Sequence, residues 1–240
     1  MIRLFLLLLC LAVPAIAAPA VPVAAAADLR LALPPLVRGH EAQMGTRFNL
    51  SFGSSGQMVQ QALNGAPFQL LLLADASHAD RLAAAVPGVE RRPYALGRLA
   101  LVATRASGIT DLASLKAAIR AGRIRHLAIA NPAHAPYGVA ARAVLAGMGI
   151  TAPLVLGENV AQALSFVSTG AAEAGLVALP LARVAGGGLI VVPLLPALHP
   201  PLVQTRVLMP GASPAARGLA DRLTSPIGRA ALARAGFGLP

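Results

Sequence analysis

The stretch Leu50-Ser51-Phe52-Gly53-Ser54-Ser55-Gly56-Gln57-Met58-Val59-Gln60-Gln61 decides the fold. An apolar run ends at Phe52-Gly53, two serines follow, and beyond Gly56 the apolar residues Met58, Val59, Ala62 and Leu63 recur at helical spacing. A strand therefore enters a helix through a short, hydroxyl-bearing turn. The first amides of a helix have no partner within it and lie at the positive end of its dipole. With glycine removing bulk and serine adding donors, such a junction suits an anion. Ser54 would serve equally as an ordinary N-cap. What the rest of the chain adds decides between the two readings.

The same alternation extends in both directions. Strands are expected over 21–26, 48–52, 68–73, 99–104, 127–130, 154–156, 174–177, 189–192 and 203–209. Helices are expected over 54–64, 75–85, 111–121, 137–147 and 159–170, several closed by glycine. Strand–helix alternation of this kind predicts an α/β protein with largely parallel sheets. Asp28 reads as the N-cap of a further helix, which Pro34-Pro35 and Gly39 should shorten or kink.

The first residues, MIRLFLLLLCLAVPAIAAPA, carry one positive charge, an apolar run and a small-residue site at Ala15-Ile16-Ala17. They read as a secretory signal peptide over 1–17, cleaved near Ala17. Leu9, not a small residue, precedes Cys10, which argues against a lipid-modified cysteine. Cys10 is the only cysteine, so the mature protein is expected to use neither disulfides nor thiol-bound metal. The longest uncharged apolar stretch beyond the signal, 184–198, contains three glycines and two prolines. It cannot supply the roughly 20 unbroken apolar residues of a spanning helix, and a soluble protein is expected. The formal net charge is +11, but Arg91-Arg92 is the only adjacent basic pair. With aromatics at 3%, nucleic-acid binding is not expected. The charge instead favours the approach of anions.

Four segments then line up in order: AAAADL at 24–29; SFGSSG at 51–56 with NGAPF at 64–68 and Ala74-Asp75; NPAHAPYG at 131–138; and GENVAQAL at 157–164. In this order, the chain resembles the periplasmic molybdate-binding proteins of ABC transporters from about Val21 to the C-terminal AGFGLP. The resemblance implies a two-lobed α/β periplasmic binding protein fold with a central cleft and a hinge. Lobe one would comprise 20–96 and 201–240, and lobe two the insertion 97–200. It further implies that molybdate or tungstate is held by uncharged donors and delivered to the membrane permease of an ABC importer. The protein would be a periplasmic monomer, without cofactor or enzymatic activity. Carried over position by position, the ligand-binding residues would be Ala27, Asp28, Ser54, Ser55, Tyr137, Asn159 and Val160. No direct metal ligand is implied beyond these oxyanion contacts.

Two positions depart from the family pattern. Asp28 stands where serine is common, and its carboxylate would repel an oxyanion. It is expected to turn back and cap the amides of Arg30 or Leu31. Gln69 replaces the acidic residue usual after Phe68. These departures leave room for another oxyanion or a small organic anion in the same fold. An exported serine hydrolase is the remote alternative. Gly53-Ser54-Ser55-Gly56 does not fit G-x-S-x-G, and no triad spacing is evident among the five histidines. His134, in the NPAHAP segment, is set aside as a loop residue.

Overall fold

The computed structural model describes residues 20–240; the expected signal peptide and Cys10 lie outside them. The strands are β1 (Val21–Ala26), β2 (Phe48–Gly53), β3 (Leu70–Leu73), β4 (Glu90–Gly97), β5 (Leu99–Thr104), β6 (Leu127–Ala130), β7 (Leu154–Gly157), β8 (Ala174–Ala178), β9 (Leu189–Pro193) and β10 (Leu202–Leu208). The helices are α1 (Leu33–Met44), α2 (Ser55–Leu63), α3 (Ala76–Ala85), α4 (Leu112–Arg120), α5 (Pro136–Gly147), α6 (Val160–Ser168), α7 (Leu179–Ala182), α8 (Pro214–Thr224) and α9 (Pro226–Ala235). Among the described residues, no helix is long and apolar enough to cross a membrane.

The strands form two five-stranded sheets, ordered β2-β1-β3-β10-β4 and β7-β6-β8-β5-β9. In each, three strands run parallel and a fourth, β10 or β5, runs antiparallel to its neighbours. That fourth strand is the one that has just arrived from the other sheet. The chain crosses at Arg98, between β4 and β5, and returns between β9 and β10. The α/β architecture read from the sequence is thus present as two lobes of matching layout.

Strands buried on both faces read as continuous apolar runs, and alternate residues of β1 and β3 serve opposite sides. Ala24, Ala26, Leu71 and Leu73 join one core. Val23, Ala25, Leu70 and Leu72 pack with Leu29, Leu33, Leu219 and Leu223 in the other.

The expectation of a broken helix after Asp28 is corrected. Pro34 and Pro35 fall in the first turn of α1, where no intrahelical N–H is required. The helix runs twelve residues to a left-handed Gly45 at φ 64°. The strand over Glu90–Gly97 escapes the sequence reading because its outer half is charged and contains Pro93. An edge strand tolerates that proline, and β4 is an edge strand.

Candidate functional site

β1 ends at Ala26, and the chain turns through one 3-10 turn, Ala27–Leu29. Asp28 lies within this turn, where the Arg30 amide donates to the Ala27 carbonyl, and its carboxylate bonds neither Arg30 nor Leu31, so the expected cap is not formed. The carboxylate is instead fully buried. Its Oδ2 accepts from the Tyr137 hydroxyl at 2.9 Å and from Gln204 Nε2 at 2.8 Å. Gln204 Oε1 in turn accepts from the Tyr94 hydroxyl at 3.1 Å. Burial pushes the Asp28 carboxyl from 3.8 up to about 6, against the opposing pull of the Tyr137 and Gln204 hydrogen bonds and of the nearby amides of Asp28 and Leu29. The same burial, with the Asp28 charge beside it, raises Tyr137 well above the usual tyrosine range.

In the same lobe, Ser54 is the N-cap of α2 and accepts from Gln57 N. Ser55 Oγ accepts from Ala74 N at 2.9 Å, which leaves its own hydroxyl hydrogen free. From lobe two, α5 starts at Pro136 with no side-chain cap. Proline has no N–H, so the first donor of that helix is the amide of Tyr137. α6 starts at Val160, and Asn159 Oδ1 spends itself capping the amides of Ala161 and Gln162. Among the described residues no backbone carbonyl outside the helices accepts from the amides of Ser55, Tyr137 or Val160. Within their helices these first-turn amides have no partner either.

All seven residues singled out in the sequence, Ala27, Asp28, Ser54, Ser55, Tyr137, Asn159 and Val160, line one cavity between the lobes. Four chain turns, each opening a helix, converge there. The cavity is small, about 10 Å³, and no Lys, Arg or His lines it. What the arrangement offers chemically is a shell of neutral donors around a compact space.

At the rim a clasp joins the lobes. Gly56 N donates to the His134 carbonyl at 2.9 Å. A Cβ on Gly56 would lie 2.8 Å from that oxygen, so only glycine fits. Gln57 Nε2 donates to Glu158 Oε2 at 2.7 Å, which turns Gln57 Oε1 to receive the Ser54 hydroxyl at 2.9 Å. With its hydrogen so used, Ser54 Oγ accepts from His134 Nδ1 at 2.8 Å. His134 Nε2 stands 3.7 Å from Glu158 Oε2.

Ser54, His134 and Glu158 thus meet in the manner of a triad, but the proton order is wrong for one. His134 donates to the serine and cannot take its proton, and the serine hydrogen points at Gln57. Sequence reasoning missed His134, Glu158 and Gln204, which come from distant segments. Gln57 did carry a signal, the Ser-x-x-Gln capping pattern from Ser54.

Two α/β lobes joined by two crossings, with helix starts from both closing on one cavity, define a solute-binding protein. Residues 21–238 match the model of the bacterial extracellular solute-binding proteins, and the chain belongs to that family. It is similar to the molybdate-binding protein ModA of Azotobacter vinelandii, 35% identical over 232 residues, covering 91% of this chain and 90% of the relative. It is also similar to ModA of Rhodobacter capsulatus, 36% identical over 173 residues, covering 69% and 66%. The solved Azotobacter vinelandii periplasmic molybdate-binding protein superposes with a TM-score of 0.81 at 29% identity, covering 92% of this chain and 99% of that one.

Proposed function

We propose that this protein captures molybdate, or the nearly isosteric tungstate, between its lobes and delivers it to the membrane permease of an ABC importer. The observation that carries the reading is the convergence of free amides at Ser55, Tyr137 and Val160, with the Ser55 hydroxyl, on one small cavity without a fixed cation. The likeness to named molybdate-binding proteins supports the choice of ion. A hydrogen bond to a charged group contributes about 1.5–3 kcal/mol net. A handful grosses on the order of 10 kcal/mol before association costs, enough for micromolar to nanomolar binding.

In this reading lobe one is 20–96 with 201–240 and lobe two is 97–200, hinged at the two crossings. The chain acts as a periplasmic monomer after cleavage near Ala17. It binds without catalysing and needs no cofactor. The test is thermal and calorimetric titration with molybdate, tungstate, sulfate and phosphate. At 100-fold excess over Kd a folded-state ligand adds about 2.7 kcal/mol. Melting temperature should rise with molybdate and tungstate and little with sulfate, whose shorter bonds do not span donors set for a larger tetrahedron. Equal shifts with all four anions would remove the selectivity; no shift with any would remove the ligand class.

A further inference from the structure

The worst-fitting residue of the site holds the clearest unfilled valence in it. Asp28 is fully buried and lines the cavity. Its Oδ2 already accepts two hydrogen bonds, from Tyr137 and Gln204, and Tyr94 fixes the orientation of the Gln204 amide. Its Oδ1 is buried with no partner of hydrogen-bond geometry among the described residues; the amides of Asp28 and Leu29 lie near the carboxylate but do not meet that geometry.

An oxygen that accepts two donors has no lone pair left for a proton. A proton on this carboxyl therefore resides on Oδ1 and makes it a donor, and among the described residues no acceptor stands within hydrogen-bond reach of it. Among the described residues no cation pairs with the carboxylate either, and Arg30, two residues on, instead lies over the Phe52 ring. The ionisable groups that face Asp28 are Tyr137 from α5 and Tyr94 from β4. The elements packed on its turn, β2, α6 and α7, carry no ionisable side chain. The nearby His134 is engaged with Ser54 and Glu158.

We propose that Asp28 enters the ligand complex as the neutral acid, its Oδ1 hydroxyl donating to the bound oxyanion, so that each dianion is taken up together with one proton. The proposal rests on the oxyanion reading above and adds a binding group and a proton stoichiometry to it. It also resolves the charge conflict. An ionised carboxylate beside a dianion in a water-poor cavity is strongly repelled, whereas a carboxylic acid is a donor like the serine it replaces. Burial already carries the group to about 6 without ligand, and a bound dianion raises it further. The sign follows: protons are taken up on binding, so affinity falls as pH rises.

The test is calorimetry with molybdate and with tungstate between about pH 6.5 and 8.5, in buffers of different ionisation enthalpy. The wild-type protein should take up close to one proton per anion, and Kd should weaken up to about tenfold per pH unit. Asp28→Asn, which keeps an acceptor for Tyr137 and Gln204 and offers a permanent N–H donor, should bind with no proton uptake and a flat pH profile. Tight wild-type binding with neither proton uptake nor pH dependence would overturn the proposal and leave the oxyanion reading standing. An Asp28→Asn protein that keeps the wild-type pH slope would overturn it too, by placing the proton elsewhere. No binding of either anion at any pH would sink the oxyanion reading, and this one with it.

Discussion

Asp28 and Ser55 show how much one side chain contributes to a site made mostly of backbone. Moving the Asp28 carboxyl from 3.8 to about 6 amounts to about 3 kcal/mol of lost stability at neutral pH. The folded state holds the proton more tightly than the unfolded one, so stability falls as pH rises from about 4 to about 6 and is level above that. Asp28→Asn should therefore stabilise the ligand-free protein at pH 7 by up to about 3 kcal/mol, with the gain gone near pH 4. Urea unfolding at both pH values measures it. Ser55→Ala removes the acceptor of Ala74 N and, on the proposed reading, a donor to the anion. It should weaken molybdate binding roughly tenfold to a hundredfold and cost about 1–3 kcal/mol of stability. Calorimetry and denaturation on the one variant separate the two effects.

At the scale of elements, the start of α2 belongs to two structures at once. It caps its own helix through Ser54 and clasps lobe two through Gly56 and Gln57. Gly56→Ala would press a methyl group against the His134 backbone, which cannot retreat without parting the lobes. Each lobe keeps its own sheet, so the variant should remain folded. It should bind molybdate more than tenfold less tightly, about 1.4 kcal/mol or more. Thermal melting together with titration checks both halves of that expectation. α1 makes the complementary point: two prolines in succession are no interruption when they occupy a first turn.

For the whole molecule, the proposed donors from α2 in one lobe and from α5 and α6 in the other would reach one small ion only with the cleft shut. On the proposed reading, the crossings at Arg98 and between β9 and β10 are where such a motion would turn. Solution scattering should give a smaller radius of gyration at saturating molybdate than without it, and an unchanged profile would count against hinge closure. The chain contains no tryptophan, so scattering is the more direct reporter. Its positive balance is spread thinly. Among the described residues none of the cations lines the cavity, so dipoles and hydroxyls are what face it.

The sequence by itself determined the alternation of strands and helices, because short apolar runs and helix caps are local signals. Ser54, Asp75, Asp111 and Asn159 stand as N-caps where the pattern puts them. Through the resemblance carried by the order of its motifs, it also picked out seven of the twelve residues that line the cavity. Only the tertiary structure decided what these residues do toward one another. Asp28 faces inward, where Tyr137, 109 positions away, and Gln204, 176 away, donate to it, while the amide two residues on, that of Arg30, is held by the Ala27 carbonyl. His134 and Glu158 become a clasp only once β6 and β7 lie side by side opposite the start of α2. Caps and apolar periods are written within a few residues of chain. A buried carboxylate's partners are chosen by which distant groups close packing brings to it.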